Sequence, residues 1–466
     1  MSSSKNGEGV HVLVFPYPAQ GHILPLLDLT HHLALRRFTV TVLVTPKNLP
    51  ILDPLLSAHP SIRTLVLPFP SGHPLLPPGV ENVRDVGNWG NAPIMSSLSD
   101  LRRPIVDWFA SHPDPPAAII HDVFLGWVEE MAGEIGVPGI CFYGLSAFLA
   151  CVFEYGWRNM EKVKSLEAVD FEEMPKCPTL PREHLPSIMK NYKEGDPHWE
   201  GIRRGMIGNC KSWGVVVTTF HALEGVFLEF LKKKMGHGRV FPVGLLNLIG
   251  GPRGRGSGQG SLFAWLDGCP DESVLYVAFG SQKLMKHNQL EALCDGLERS
   301  GVRFILVVKE PSIQQVELGF GLVSDEFEDR VKGRGLVVRG WASQVDILNH
   351  RAVGAFLSHC GWNSALESIV AGVLILGWPM EADQFVNAKL LVDYLGVGIC
   401  VCEGTDTVPD VPELARKISY AINCFVLEKA RVKEFRDVAL TTVKTEEGSI
   451  ECFEELVKQL AQLQAS

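Results

Sequence analysis

Residues 341–384 have the sequence WASQVDILNHRAVGAFLSHCGWNSALESIVAGVLILGWPMEADQ. Two short apolar runs in this stretch, Ala355–Leu357 and Val373–Leu376, have the length and composition of buried strands. Trp362-Asn363-Ser364 opens a helical segment between them. A strand, a helix and a second strand in this order are typical of a parallel sheet that is covered by helices on both faces.

The same alternation continues along the chain as two series of strand-like runs. The first series comprises residues 10–15, 38–44, 62–67, 117–120, 137–142 and 215–218. The second series comprises residues 273–279, 304–308, 336–338, 355–357, 373–376 and 398–401. Helical segments such as Leu24–Arg36 separate most of these runs. The pattern predicts two doubly wound α/β domains. Ligands bind outside the carboxyl ends of the strands in such sheets, so we expect the chemistry in a cleft between the domains.

A glycine-rich segment lies between the two series. Residues 250–261 cannot pack a core and have the composition of a flexible linker. We therefore expect an N-terminal domain over residues 1–249 and a second domain over residues 262–445. Apolar residues at helical spacing near the end of the chain predict a helix within residues 446–466 that packs back on one of the domains.

Composition narrows the class of protein. The chain has 466 residues, of which 46% are apolar and 21% are charged, as in ordinary globular proteins. Its formal net charge of −10 opposes a nucleic-acid partner, because such partners are bound through Lys and Arg. Residues 1–15 show neither a signal segment nor a membrane span, and the 11 cysteines show no paired framework. We therefore expect a reduced, cytoplasmic protein without a membrane span.

Residues 341–384 resemble, almost position for position, the signature box of the plant secondary-product UDP-glycosyltransferases, which are family 1 enzymes with the GT-B fold. The segment HCGWNS, residues 359–364, is the most specific part of this match. The resemblance continues in Phe279-Gly280-Ser281, in residues 217–224 and in residues 16–25, so it covers nearly the whole chain. It implies two Rossmann-like domains that face each other across a cleft.

The resemblance also implies the reaction. Enzymes of this family transfer a sugar from a UDP-sugar to a hydroxyl, or alternatively a carboxyl, of a small apolar acceptor. The opening of the chain, including residues 44–48, resembles a branch that acts on flavonoids and on simple phenols or benzoates. Because the UDP-sugar is a co-substrate, no cofactor is expected, and the family expectation for the oligomeric state is a monomer.

The donor site is expected around the start of the helix that follows residue 361. Unpaired amides and the positive dipole end make such a helix start favourable for a diphosphate. His359, Asn363 and Ser364 would add side-chain donors there, and the resemblance assigns phosphate contacts to them and to Ser281. The positions that it assigns to donor binding are Ser281, Trp341, Ala342, Gln344, His359, Gly361, Trp362, Asn363, Ser364, Glu367, Asp383 and Gln384.

The uridine of the donor has its own candidate partners. Trp341, after a predicted strand, would stack the uracil ring, and Gln344 resembles the family's uridine-contacting glutamine. Glu367 stands three residues after Ser364, and this spacing is also that of a capping box, which only starts a helix. The resemblance instead gives Glu367 the ribose hydroxyls.

The sugar is expected at the end of the signature box. Asp383 and Gln384 offer acceptors and a donor for sugar hydroxyls, and Gln at the last position is typical of glucosyl donors. Two positions depart from the family pattern. Ser343 replaces the usual Pro, and Gly144 stands where many relatives have Ser or Thr that touches the sugar's 6-hydroxyl. Gln384 thus favours UDP-glucose as the donor. Gly144 keeps UDP-xylose and UDP-rhamnose as alternatives, because neither of these sugars has a 6-hydroxyl.

His22 is the predicted catalytic base. A single histidine is more often structural than catalytic, but the resemblance places the family's general base at this Gly-His pair. Asp122 matches the family's aspartate that orients and charges the histidine, as in a catalytic triad, although a helix N-cap is its other interpretation. His121 is expected on the opposite face of its strand. We predict an inverting, in-line displacement without a metal, because no D-x-D pair is present to hold one.

Two rival functions are less consistent with the sequence. A nicotinamide-dependent oxidoreductase would need a G-x-G-x-x-G segment after a strand, and none is present. A sensor that binds the UDP-sugar without catalysis would not need His22 and Asp122. The acceptor is predicted only in outline, from the stretches 70–100, 144–160 and 175–210. Candidate wall residues, for each of which core packing is the alternative, are Trp89, Phe124, Phe148 and Trp199.

Overall fold

A computed structural model describes residues 9–244, 246, 260–280, 283–424, 427–442 and 448–463. The chain forms two compact units, one from Met1–Gly250 with Thr442–Ser466 and one from Gly251–Thr441. Most of the predicted linker, residues 250–261, lies outside the described residues, and the helix Gly260–Asp267 begins at its end.

The first unit contains a seven-stranded parallel sheet with the strand order β3-β2-β1-β4-β5-β8-β9. Its strands, together with a separate antiparallel pair β6 and β7, are β1 (His11–Phe15), β2 (Thr39–Val44), β3 (Arg63–Val66), β4 (Ala118–Asp122), β5 (Gly139–Tyr143), β6 (Ala168–Asp170), β7 (Thr179–Pro181), β8 (Gly214–Val217) and β9 (Val240–Pro242). Every residue of β1, β4, β5 and β8 is buried, as expected for central strands that are covered on both faces.

The second unit contains a six-stranded sheet with the order β12-β11-β10-β13-β14-β15, and all of its strand pairs are parallel. Its strands are β10 (Val274–Ala278), β11 (Arg303–Val308), β12 (Gly335–Arg339), β13 (Val353–Ser358), β14 (Leu374–Gly377) and β15 (Gly398–Cys400). The strand order reverses between β1 and β4 in the first sheet and between β10 and β13 in the second. These reversals are the topological switch points at which doubly wound sheets bind their ligands.

Most helices lie in the connections between strands, and the last three of the described helices follow β15. The α-helices of the first unit are Gln20–Leu35, Asp53–Ala58, Asn91–Leu98, Arg102–Ser111, Val128–Ile135, Ala147–Arg158, Met160–Ser165, Ser187–Lys190, Pro197–Gly208, His221–Met235 and Ser449–Gln462. Those of the second unit are Gly260–Asp267, His287–Ser300, Ile313–Glu317, Asp325–Val331, Gln344–Leu348, Trp362–Ala371, Gln384–Lys389, Val411–Asn423 and Leu427–Thr442. Within the described ranges, no helix is both long enough and apolar enough to cross a membrane.

Each predicted strand-like run corresponds to an observed strand, whereas one helix start was wrong. The first helix begins at Gln20 rather than Leu24, so His22 lies in its first turn and Pro25 lies within the helix. Pro25 is the sixth residue of this helix and lies beyond its first turn, where it contributes no backbone N–H donor. Asp122, for which a helix N-cap was the other interpretation, precedes a short 3₁₀ turn, Val123–Leu125, and the next helix is Val128–Ile135.

The helix Ser449–Gln462 contributes directly to the core of the first unit. Its apolar side chains pack in one cluster with residues of β1, β2 and β4, and the buried members are Phe453, Leu456, Val457 and Leu460. The guanidinium of Arg36 lies 4.5 Å from the centroid of the Phe453 ring and pairs with Glu454. This helix, although distant in sequence, is therefore an integral part of the first unit.

Candidate active site

The switch point of the first sheet brings two predicted catalytic residues together. The loop after β1 leads into the helix that carries His22, and the neighbouring strand β4 ends at Asp122. Nδ1 of His22 lies 3.0 Å from Oδ2 and 3.1 Å from Oδ1 of Asp122. The Asp122 side chain is fully buried, and that of His22 is 23% exposed. The carboxylate is thus shielded from water while the imidazole keeps an open edge.

Asp122 also caps the turn that follows it. Its Oδ1 accepts a hydrogen bond of 2.9 Å from the amide of Phe124. The same carboxylate therefore makes both expected contacts: it accepts from His22, and it caps the 3₁₀ turn that begins at Val123. An ionised carboxylate can only accept, so Nδ1 of His22 carries the proton of their hydrogen bond and Nε2 is left with a lone pair. Nε2 is the atom that a base needs.

Two aromatic rings flank His22. The centroid of the Phe124 ring lies 4.6 Å from the imidazole, and that of Tyr17 lies 5.4 Å from it. Tyr17 is fully buried and donates to Oδ1 of Asn91 at 2.9 Å, and burial raises its pKa well above the usual value. Tyr17 is therefore a neutral support of the histidine. The half-buried Phe124 ring lies against the face of the predicted base.

The other candidate wall residues differ in their surroundings. Phe148 is fully buried and packs on Phe227 with ring centroids 5.0 Å apart, so the core alternative is correct for this residue. Trp89 is exposed and lines a small cavity together with Trp199. The His121 side chain points to other partners than His22, since its Nε2 is 2.6 Å from the carboxylate of Glu129 and its Nδ1 is 3.0 Å from the carbonyl oxygen of Asp122.

The switch point of the second sheet carries the predicted diphosphate site. After β13 the chain turns sharply through Cys360, whose φ of 64° is in the left-handed region, and Gly361 becomes the N-cap of the helix Trp362–Ala371. A Cβ atom at Gly361 would lie 2.7 Å from Nε2 of His359, and one at Gly280 would lie 2.8 Å from the same atom. Both positions therefore require glycine, and together they enclose the His359 ring.

His359 is neutral in this environment. Its ring is half-buried, and its Nδ1 is buried without a hydrogen-bond partner among the residues that the structure describes. Burial, and secondarily the charge of Lys283, lowers the pKa of His359 to about 4. A neutral imidazole can donate one N–H to an anion. The predicted partner Ser281 lies outside the described residues, Trp362 is buried and Asn363 is half-buried.

The residues predicted to bind uridine and ribose form a connected group. Ser364 is the third residue of its helix, so it is not the N-cap, and the capping-box interpretation is wrong. Nε2 of Gln344 donates to Oγ of Ser364 at 2.9 Å and to Oε2 of Glu367 at 2.8 Å. One amide group therefore fixes both side chains on the same face of the helix. This link between residues far apart in sequence has no local sequence signal.

The segment before this group presents an exposed ring. Trp341 is 65% exposed, whereas Ala342 is buried against the core of the second unit. Ser343 begins the helix Gln344–Leu348 with a φ of −74°, and its Oγ donates to Oδ2 of Asp346 at 2.5 Å. Ser343, which replaces the usual proline of the family, therefore has a φ angle that proline also adopts.

The end of the signature box is held by a residue that the sequence did not single out. Nδ2 of Asn387 donates to Oδ2 of Asp383 at 2.7 Å and to the carbonyl oxygen of Cys360 at 3.0 Å. Oε1 of Gln384 accepts from the amides of Met380 and Glu381 at 2.9 and 3.0 Å. The Gln384 oxygen is therefore engaged by the backbone, which leaves its amide nitrogen as the only group of this side chain that could donate to a sugar hydroxyl. Asn387 connects the two loops of the predicted donor site.

Across the described part of the chain, no group of three or more His, Cys, Asp or Glu side chains has a geometry that could hold a metal ion.

Comparisons with known proteins agree with this arrangement. Residues 261–418 match the family described as UDP-glucoronosyl and UDP-glucosyl transferase. The chain is 50% identical to UDP-glycosyltransferase 89A2 of Arabidopsis thaliana, over 98% of this chain and 97% of that protein. It is 46% identical to flavonol 3-O-glucosyltransferase UGT89B1 of the same plant, over 97% of this chain and 96% of that protein.

A solved structure extends the likeness to three dimensions. The crystal structure of Arabidopsis thaliana UGT89C1 complexed with UDP-L-rhamnose superposes with a TM-score of 0.79 at 36% identity, covering 97% of this chain and 99% of that chain. The two parallel α/β sheets described above are those of the GT-B fold. The chain belongs to the plant family 1 UDP-glycosyltransferases, within the group numbered 89, and is a UDP-dependent glycosyltransferase.

Proposed function

We propose that the protein transfers glucose from UDP-glucose to a hydroxyl group of a phenolic acceptor such as a flavonol, with inversion at the anomeric carbon. The observation that carries this proposal is the contact between His22 and the buried Asp122. It holds the imidazole through Nδ1, which leaves the lone pair of a base on Nε2, and it gives a partner to the positive charge that would form.

The reaction requires removal of a proton from the acceptor during a single displacement. A phenol has a pKa of about 10 and an imidazole one of about 6.5, so the transfer is unfavourable unless it accompanies attack on the sugar. As the acceptor oxygen bonds to the anomeric carbon, its proton passes to Nε2 of His22, and the bond from that carbon to the UDP oxygen breaks. Asp122 stabilises the imidazolium that forms.

The second unit would hold the donor. The amides at the start of the helix Trp362–Ala371, with Asn363, Ser364 and neutral His359, would bind the diphosphate and stabilise the UDP that leaves. Glu367, fixed by Gln344, would accept from the ribose hydroxyls. Since these groups bind the anion, the reaction would not need a divalent metal.

Glucose is the favoured sugar for two reasons. Gln384 occupies the position at which glutamine is typical of glucosyl donors, and the similar UGT89B1 is named a flavonol 3-O-glucosyltransferase. Rhamnose is the second candidate, because UGT89C1 was crystallised with UDP-L-rhamnose and because Gly144 offers no side chain to a 6-hydroxyl. Xylose, which lacks that hydroxymethyl group, is the third.

The test is UDP release by the wild-type chain and by His22→Ala. UDP-glucose, UDP-rhamnose and UDP-xylose are each offered with a panel of flavonols, simple phenols and benzoates, in the presence of EDTA. We expect wild-type turnover with UDP-glucose and a loss of at least about 100-fold in His22→Ala, with UDP affinity unchanged. Equal turnover by both proteins would refute the role of His22, and UDP binding without any turnover would favour a sensor.

A further inference from the structure

A lysine outside the signature box lies beside the proposed diphosphate site. Lys283 follows the carboxyl end of β10, and His359 follows the carboxyl end of β13. These strands are neighbours at the switch point of the second sheet, so the two residues come from opposite sides of one crevice. The positive charge of Lys283 acts on the His359 ring.

A second contact locates the ammonium group of Lys283 more closely. Nζ lies 3.4 Å from the carbonyl oxygen of Thr405, whose hydroxyl donates to the carbonyl oxygen of Met380. Met380 precedes Asp383 and Gln384 in the loop predicted to bind the sugar. Nζ therefore lies beside the loop predicted to bind the sugar, and Lys283 follows the strand that pairs with the one leading to His359. We expect the β-phosphate of a UDP-sugar at this edge of the sheet.

The contact with Thr405 does not by itself explain why the charged ammonium group of Lys283 lies in this half-buried position. The carbonyl oxygen of Thr405 already accepts a shorter hydrogen bond, of 3.0 Å, from Nε2 of Gln289. Glu381 and Asp406 are near enough to favour the charge of Lys283. Burial is the main influence on Lys283 and lowers its pKa. A half-buried ammonium with spare N–H donors is suited to an anionic ligand.

We propose that Lys283 binds the β-phosphate of the UDP-sugar and stabilises the charge that develops on UDP as the glycosidic bond breaks. This inference rests on the proposed function, which places the diphosphate at the start of the helix Trp362–Ala371. Lys283 would then provide positive charge that other transferases obtain from a divalent metal.

The experiment compares the affinities of the full-length chain for UDP and UMP by isothermal titration calorimetry. In Lys283→Gln we expect UDP to bind about 10- to 100-fold more weakly, as for loss of a charge-assisted hydrogen bond, and UMP to lose much less. Lys283→Arg should recover most of the UDP affinity. Turnover should fall with UDP affinity in Lys283→Gln.

Lys286→Gln is the matched control. It removes the same charge three residues away, where Nζ of Lys286 contacts the Phe320 ring and the carbonyl oxygen of Leu318. We expect its UDP and UMP affinities to equal those of the wild type. Equal losses for UDP and UMP in Lys283→Gln, or an unchanged UDP affinity, would overturn the inference alone. A wild-type chain that binds no UDP would overturn the proposed function as well.

Discussion

Nδ1 of His22 lies 3.0 Å from Oδ2 of Asp122, although 100 residues separate the two along the chain. Their proximity follows from the pairing of β1 with β4, because the carboxyl ends of parallel neighbours lie at the same edge of the sheet. The position of the carboxylate determines which nitrogen of the imidazole carries the proton. That dependence can be tested with a substitution that preserves the shape of the side chain.

Asp122→Asn should lower kcat by about 10²- to 10⁴-fold with little change in UDP affinity. Asparagine can still accept from the amide of Phe124 through its oxygen, but its NH₂ group then faces Nδ1 of His22. This reverses the tautomer and places the proton on Nε2, so the base is lost. Steady-state kinetics and UDP titration measure the two quantities.

Asp114→Asn is the control for this prediction. Asp114 lies near another histidine, His11 at the start of β1, and its side chain is exposed. We expect wild-type kcat from this variant. A similar loss of kcat in both variants would show that the effect of Asp122→Asn is a general weakening of the first unit.

The bridge from Gln344 to Ser364 and Glu367 predicts non-additive losses of UDP affinity. Gln344→Ala and Glu367→Ala should each weaken UDP binding, by about 1–3 kcal/mol for a partly buried polar contact. The double variant should lose less than the sum by at least about 0.5 kcal/mol, because each single change already removes their shared hydrogen bond. Titration calorimetry of the four proteins measures the coupling, and strictly additive losses would mean that the two side chains act independently.

Asn387→Ala should lower both the stability of the second unit and the affinity for the UDP-sugar. Its amide is fully buried and joins Asp383 to the carbonyl oxygen of Cys360, and unsatisfied buried partners cost about 1–3 kcal/mol. Thermal unfolding and the KM for the UDP-sugar measure the two effects. Asn349→Ala is the control, because Asn349 makes an exposed side-chain contact with the carbonyl oxygen of Val345. Equal unfolding midpoints for the two variants would contradict this role of Asn387.

Gly144→Ser should raise kcat/KM for UDP-glucose relative to UDP-xylose by about 2- to 10-fold, the value of one added hydrogen bond. A Cβ atom at this position would lie 3.2 Å from Cε1 of Phe142, so the ring must shift by a few tenths of an ångström. Gly144→Ala introduces the same crowding without the hydroxyl. If both variants change the donor preference equally, the hydroxyl is not the cause.

Glu224 predicts a pH dependence of stability. Its buried carboxylate accepts from the amides of Ala147 and Phe148, and burial raises its pKa from 4.5 to about 7. The folded chain therefore keeps a proton that the unfolded chain releases between about pH 4.5 and 7, so the free energy of unfolding falls as pH rises through this range. Glu224→Gln should reduce that slope. Glu229→Gln, on the exposed side of the same helix, should leave it unchanged, and the unfolding midpoints between pH 5 and 7 measure both.

The sequence predicted the strands well because buried parallel strands are short and continuously apolar. The exceptions were β9, which is short and ends in Pro242, and the small pair of β6 and β7. The first helix was placed too late because Pro25 resembles a helix start, whereas the helix already begins at Gln20. Local sequence patterns predict strands and helices, but they misplace a helix start when a residue such as Pro25 can stand either at the start of a helix or within it.

The candidate site was predicted less completely, since its contacts join distant residues. The family resemblance pointed to His22 and Asp122, and the structure brings them within hydrogen-bond distance. No local pattern indicated that Gln344 would bridge to Glu367, or that Oε1 of Gln384 would be held by backbone amides. These contacts depend on how neighbouring loops meet at the edge of the sheet.

The helix Ser449–Gln462 has a consequence for biosynthesis. Phe453 and its neighbours complete a core that is otherwise built from residues made at the beginning of translation. A ribosome must therefore synthesise the entire second unit before the first can close, and the apolar surface around β1 and β2 stays accessible to chaperones throughout elongation. A nascent chain stalled anywhere before this helix would present that surface to quality control, even when His22 and Asp122 have already been made.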